Sequence, residues 1–165
     1  MRFSVRLVTF VLCVSAAAWT PGCTGPAVDV ASTVKVGNVV TGWYDAGVVN
    51  GENKLVPSVS FTLTNSGATR INALQVLSVF RFVGETEELG SSYVVLRGDE
   101  ALGPSATSKP ISIHATWGFT SPLTRAQLLA DHRFQDAHVE IFAKHGANEY
   151  VKLSDMTIKR QLITH

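Results

Sequence analysis

The sequence predicts an all-β domain: seven antiparallel strands in two layers, with one short crossover helix near residues 124–131. Three observations carry this. Short runs of alternating apolar and polar residues recur along the chain. Gly, Asn, Pro and Ser clusters separate them at the spacing of a two-layer antiparallel fold. A single stretch departs from the two-residue period and carries a helix cap. A small β-barrel is the second arrangement that these strands fit.

Taken in order, Val34, Val36 and Val40 open a first strand that runs through Tyr44, with Gly37-Asn38 as a bulge where the alternation slips. In "PSVSFTLTNSG", Val59, Phe61 and Leu63 point inward while Ser60, Thr62 and Thr64 point outward, and Asn65-Ser66-Gly67 turns the chain. A third strand runs from Ile71 to about residue 83 and ends in the acidic "GETEELG". "SSYVVLR" is the fourth. In "KPISIHATWGF" the residues Ile111, Ile113, Ala115 and Trp117 alternate inward against Ser112, His114 and Thr116. Thr124 with Gln127 three residues on has capping-box spacing, and Leu123, Ala126 and Leu129 or Ala130 share a face of the helix that follows. Val139, Ile141 and Ala143 then climb one arm of a hairpin. Gly146-Ala147-Asn148 supplies its loop, and Tyr150 to about Ile158 returns.

The N-terminus has another character. Arg2 and Arg6 precede a twelve-residue apolar or small run, Leu7 to Ala18. That is too short for a membrane span, which needs roughly 20 apolar residues, and it has the charged start of an export signal. Two processing routes are open. Ala16-Ala17-Ala18 is an A-x-A site whose cleavage would leave Trp19 first. Thr20-Pro21-Gly22-Cys23 resembles the lipobox of bacterial lipoproteins, whose cysteine is acylated and becomes the first residue, although Thr20 and Pro21 depart from the usual pattern. The cysteine count favours the second route. The chain has two cysteines and Cys13 lies inside the signal, so cleavage after Ala18 would leave one unpaired thiol in an oxidising compartment. Acylation uses that thiol. Thr24 rather than Asp after the cysteine favours, by resemblance to sorted lipoproteins of double-membrane bacteria, the outer membrane. The expected organisation is a signal peptide over 1–22, a tether over 23–32 and a β-sandwich domain over 33–165.

Removing residues 1–22 leaves 143 of the 165 residues, with 12 basic against 13 acidic side chains. One domain of that size buries its own core. The near-neutral balance argues against nucleic acid, which needs a basic face for phosphates.

The segments "GWYDAG", "NKLVPSVSFTLTNSG", "VEIFAK" and "IKRQL" together resemble uncharacterised bacterial exported and lipoprotein domains with an immunoglobulin-like β-sandwich. The resemblance covers nearly the whole mature chain. It implies an immunoglobulin-like fold and export, and brings no activity or catalytic residues to carry over. An immunoglobulin-type disulfide is excluded, because only one cysteine survives processing.

No catalytic pattern emerges, and the expectation is a non-enzymatic protein without cofactor or metal. His138 and Glu140 form an H-x-E pair, but a zinc deaminase also needs two downstream cysteines, which are missing. The five histidines (114, 132, 138, 145 and 165) show no H-E-x-x-H spacing. "GDEALGPS" lacks the Lys of a phosphate loop and has Pro104 there instead. Glu85, Glu87 and Glu88 read as a solvated hairpin tip, lacking the Asp/Asn-Gly ladder of a calcium loop.

The remaining candidate is "GWYDAGVVNGENKLVP", residues 42–57, read as a long loop and so a place for binding. Its candidate contact residues are Trp43, Tyr44, Asp45, Asn50, Glu52 and Lys54, the first two being types enriched at binding hot spots. Trp43 and Tyr44 are read first as the core-facing end of the first strand, ahead of a binding role. The functional expectation is an envelope-anchored binding or accessory module. It would be held to the membrane by a lipid on Cys23 and meet an envelope protein or glycan. A structural subunit of a larger envelope complex, or a free periplasmic or secreted protein cleaved at Ala18, are the alternatives.

Overall fold

The computed structural model describes residues 28–163. The signal region, Ala18 and Cys23 lie outside the described residues. The elements in order are α1 (Val30–Thr33), β1 (Val34–Val49), β2 (Glu52–Asn65), β3 (Leu74–Phe82), β4 (Glu88–Leu96), β5 (Ile111–His114), β6 (Phe119–Ser121), α2 (Arg125–Ala130), β7 (Ala137–His145), β8 (Val151–Thr157) and β9 (Leu162–Ile163). The protein is all-β and built of two sheets. One has the order β5-β2-β1-β9, with β6 also on β2; the other is β4-β3-β7-β8. Inward side chains of both, among them Val59, Phe61, Leu63 and Ile113 from the first and Leu74, Val76, Phe80, Val139 and Ile141 from the second, form one buried cluster.

Much of the alternation is realised. Val59, Phe61 and Leu63 are fully buried. The bulge at Gly37-Asn38 appears as a register shift between Gly37 and Val40, with Asn38 at positive φ. The last hairpin pairs β7 with β8. The Thr124–Gln127 capping box forms in both directions. At the end of the segment expected to be a tether, α1 folds onto the domain: Asp29 caps it and Val30 is buried.

Five expectations need correction. There are nine strands rather than seven, and they are not all antiparallel, because β9 runs parallel to β1. The 42–57 segment is a hairpin rather than a loop. Asn50 and Gly51 both take positive φ, the two-residue turn whose twist matches the flanking strands, so β1 and β2 pair from Val49↔Glu52 onward. Trp117 is 65% exposed rather than inward. The edge strand breaks after Ala115, whose N–H still bonds Pro57 O, and the Trp117 N–H crosses to Leu89 O in the other sheet. Gly118 permits this break, since a Cβ there would lie 2.1 Å from the Leu55 carbonyl oxygen. In α2 the buried residue is Leu128, while Ala126 and Ala130 face out. Finally, Thr62, opposite Gly37 of the bulged β1, points away from the core yet is buried.

Two local devices fix the ends. Asn65, fully buried, donates from Nδ2 to the carbonyls of Thr69 (2.9 Å), Leu102 (3.3 Å) and Gly103 (2.9 Å), while its Oδ1 accepts the Gly67 N–H at 2.9 Å. It pins the β2–β3 turn to the segment before β5. At the other end of the chain, residues 158–163 pass from the second sheet to the first. Ile158 is buried, Gln161 O accepts the Trp43 N–H at 2.7 Å, and the Gln161 side chain donates to Thr41 O at 2.8 Å. Gly42 admits the strap: a Cβ there would stand 2.8 Å from Gln161 O.

Candidate functional site

The six residues of the expected binding segment do not gather into one site. Trp43 is fully buried, edge-on to Phe134 with ring centroids 4.4 Å apart and 6.0 Å from Phe119. It is a core residue. Among the described residues its indole N–H has no hydrogen-bond partner. Asp45 forms an ion pair with Arg125 of α2 and accepts the Gly47 N–H. These contacts, the guanidinium first, hold its carboxyl below the ordinary range. Asn50 forms the turn and Glu52 closes the hairpin opposite Val49.

Tyr44 and Lys54 have a different setting. The pairings Tyr44↔Val56 and Ser58↔His114 put Tyr44, Val56 and His114 on the outer face of the first sheet, with Lys54 two residues before Val56 on the same face. Tyr44 stacks on His114 at 5.1 Å with an interplanar angle of 18°. Together with Ser92 of β4 and Thr116 they line an open groove of about 320 Å³ at the seam where the edge strands β4 and β5 meet. The Lys54 ammonium donates to Thr116 O at 3.2 Å and lies 5.6 Å from the centroid of the exposed Trp117 ring, which itself lines a neighbouring pocket with Glu85, Glu87 and Glu88. The chain break at residues 116–118 therefore creates the site, turning Trp117 outward beside Lys54. Gly90 makes room for Thr116, since a Cβ there would stand 2.9 Å from the Thr116 nitrogen.

His114 and Trp117 were missed as site residues. For His114 the sequence signal is Asn50-Gly51; Trp117 had none. Read as a two-residue turn, and combined with the register shift between Asp45 and Val48, it sets Tyr44 against Val56 of β2, the strand that lies between β1 and His114's strand.

The second sheet carries a charge network rather than a site. Glu140 of β7 pairs with Arg81 of β3 and, at 2.9 Å, with Lys152 of β8; Arg81 also meets Glu88 at 2.8 Å. The Lys152 hydrogen bond, with Arg81 adding to it, holds the Glu140 carboxyl below its ordinary 4.5 against the opposing effect of burial. Glu140 of the H-x-E pair is thus a cross-strand hub. Among the described residues no group of three or more His, Cys, Asp or Glu side chains is placed to hold a metal ion.

No protein-family model matches the chain, and no curated protein matches it. Among solved structures it is similar to the Pseudomonas fluorescens alkylpurine DNA glycosylase AlkC bound to DNA containing an abasic site analog. The identity is 14% and the TM-score 0.42, over 80% of this chain and 31% of that one. The chain therefore spans about a third of the glycosylase's length. It is also similar to the solution structure of AT1g01470 from Arabidopsis thaliana, with 13% identity and a TM-score of 0.47 over 92% of this chain and 95% of that one. Neither likeness bears on what the groove does.

Proposed function

We propose that the protein is an exported, non-enzymatic lipoprotein, acylated at Cys23 and held at the outer membrane facing the periplasm, whose immunoglobulin-like β-sandwich binds a partner at the end remote from its anchor. The polarity of β1 is the observation that supports this most. The strand starts at Val34, next to the segment leading back to Cys23, and runs ten residues to Tyr44 before reaching the turn at Asn50-Gly51. At a strand rise of about 3.3 Å per residue, Tyr44 stands about 30 Å from the anchored end. An anchor at Cys23 would therefore leave the Tyr44–His114–Lys54 groove and Trp117 facing away from the lipid surface. The immunoglobulin-like assignment treats β6 as the continuation of the broken edge strand β5 and β9 as a two-residue addition. A non-enzymatic role is supported by the ion pairs that engage Arg81, Glu140, Lys152, Asp45 and Arg125. Among the described residues no helix is long and apolar enough to cross a membrane, so the acyl chains would supply the attachment. Each buried methylene adds about 0.8 kcal/mol, and one chain alone binds only marginally.

The test is mass spectrometry of the mature N-terminus with fractionation of wild type and Cys23→Ser. Wild type should begin at an acylated Cys23 and sediment with membranes. Cys23→Ser should lose the acyl mass and stay unprocessed, or be cleaved after Ala18 and released. A wild type that starts at Trp19 without acyl mass, in the soluble fraction, would overturn the reading. A structural subunit of a larger envelope complex is the second reading, favoured by β4, an edge strand carrying the 67% exposed Tyr93. Stable stoichiometric co-purification from solubilised membranes would select it.

A further inference from the structure

The groove at the β4–β5 seam has a chemistry that names its ligand class. We propose that it binds an acidic polysaccharide, a chain of sugar rings bearing carboxylates, with a carboxylate on Lys54 and a ring face against Trp117; this rests on the reading of the domain as a binding module. Four observations converge. The groove's charged and polar lining consists of groups able to donate hydrogen bonds, namely Lys54, His114, Tyr44, Ser92 and Thr116, and no carboxylate lines it. Lys54 enters none of the ion pairs among the described residues, so its charge is not neutralised by a protein carboxylate. Among the described residues its ammonium donates to a backbone carbonyl, Thr116 O, which leaves ammonium protons for a ligand. Trp117 is the most exposed tryptophan ring described, at 65%, and Lys54 holds its position over it.

The donors and the charge select an anion. The exposed indole beside Lys54 selects a partner with a flat apolar face, which the C–H face of a sugar ring supplies and a bare phosphate does not. The shape selects length. The groove is open rather than enclosed, so a polymer can lie across it.

The experiment measures binding of the full chain, purified in detergent, to polygalacturonate by isothermal titration. Dextran is the neutral comparison, and poly-glutamate and inorganic phosphate are competitors. Wild type should bind polygalacturonate and not dextran, more weakly as salt rises. Loss of a charge-assisted contact lowers affinity about tenfold or more, so Lys54→Met should weaken binding to that extent, and Trp117→Ala should do likewise. Tyr93→Ala, an exposed aromatic on the second sheet, should leave it unchanged. Trp117 is exposed, so its alanine variant keeps the wild-type urea midpoint and the binding loss is read on folded protein. Absent binding, binding indifferent to both groove variants, or equal displacement by poly-glutamate or phosphate would each overturn the proposal. None of these outcomes alters the N-terminal mass or the fractionation pattern, so the anchoring reading stands or falls separately.

Discussion

Replacing Asn65 by Asp or Ala tests whether one buried amide holds the β2–β3 turn in place. The Asn65 Nδ2 faces three carbonyl oxygens, and its Oδ1 accepts the Gly67 N–H. In Asn65→Ala the carbonyls of Leu102 and Gly103 keep backbone donors, the N–H groups of Ile71 (2.8 Å) and Ala106 (3.2 Å). The loss therefore falls mainly on Thr69 O and Gly67 N–H. A net bond contributes about 1 kcal/mol and an unsatisfied buried group costs about 1–3 kcal/mol, so Asn65→Ala should cost about 2–4 kcal/mol. Against a domain stability of about 5–15 kcal/mol that is a large share. Asn65→Asp is nearly the same shape but replaces the donor by an oxygen. When ionised, that oxygen meets three carbonyl oxygens; when protonated, it can donate to one of them. Folding thus disfavours the carboxylate and raises its pKa above the unfolded value of about 3.9. The sign follows. Below the unfolded pKa both states are protonated and the variant is least impaired. As pH rises from there towards the folded pKa, the unfolded state ionises first and stability is lost, at up to about 1.4 kcal/mol per pH unit. Urea unfolding of wild type and both variants at pH 4 and pH 7 reads the effect as a difference from wild type at each pH. An Asn65→Asp penalty that is equal at the two pH values, or smaller at pH 7, would refute the proposed role of the amide.

The remaining predictions concern packing, backbone and charge. Phe61→Ala should cost about 3–5 kcal/mol by urea unfolding, whereas Thr62→Ala, which removes a covered outer-face side chain, should cost about 1 kcal/mol; equal midpoints would mean the strand facing is wrong. Gly118→Ala places a Cβ against the Leu55 carbonyl with no soft side chain to yield, so its thermal midpoint should fall with a loss above about 2 kcal/mol and Trp117 fluorescence should shift. The depressed Glu140 carboxyl stabilises the fold above its ordinary 4.5, and that contribution is lost as pH falls through the folded value. Glu140→Gln should therefore flatten the decline in thermal midpoint between pH 6 and pH 3, and an unchanged slope would show that the network does not act there.

What the sequence revealed, and what it hid, follows from how far apart the interacting residues lie. The Val59–Phe61–Leu63 alternation and the Thr124–Gln127 cap are local, so each could be read within a few residues. The hairpin at Asn50-Gly51 was also local. It was passed over because Ala46 and Gly47 interrupt the alternation with a second register shift, between Asp45 and Val48. The outward turn of Trp117 had no local signal. In the sequence the period of two simply continues from Ile111. Its interruption depends on the Leu89 carbonyl and on the space above Leu55 O, contributed by strands far away along the chain. The groove inherits that difficulty: Tyr44, Lys54 and His114 meet only once the β1–β2 and β2–β5 pairings have set their register, and Ser92 joins them only when the two sheets pack.

The parallel pairing of β9 with β1 also has a kinetic meaning. The outer edge of β1 at Trp43 is completed by Gln161, Leu162 and Ile163, some of the last described residues, so this contact closes a loop of nearly the whole domain. Contacts of such sequence separation form late and slowly, because the closure entropy must be met before the pairing repays it. As the chain emerges in order, its first strand waits, with one edge open, for the segment that will cover it. Completion is then all or none. A chain interrupted short of residue 161 would present that edge to other molecules, as incompletely folded β-proteins do when they aggregate.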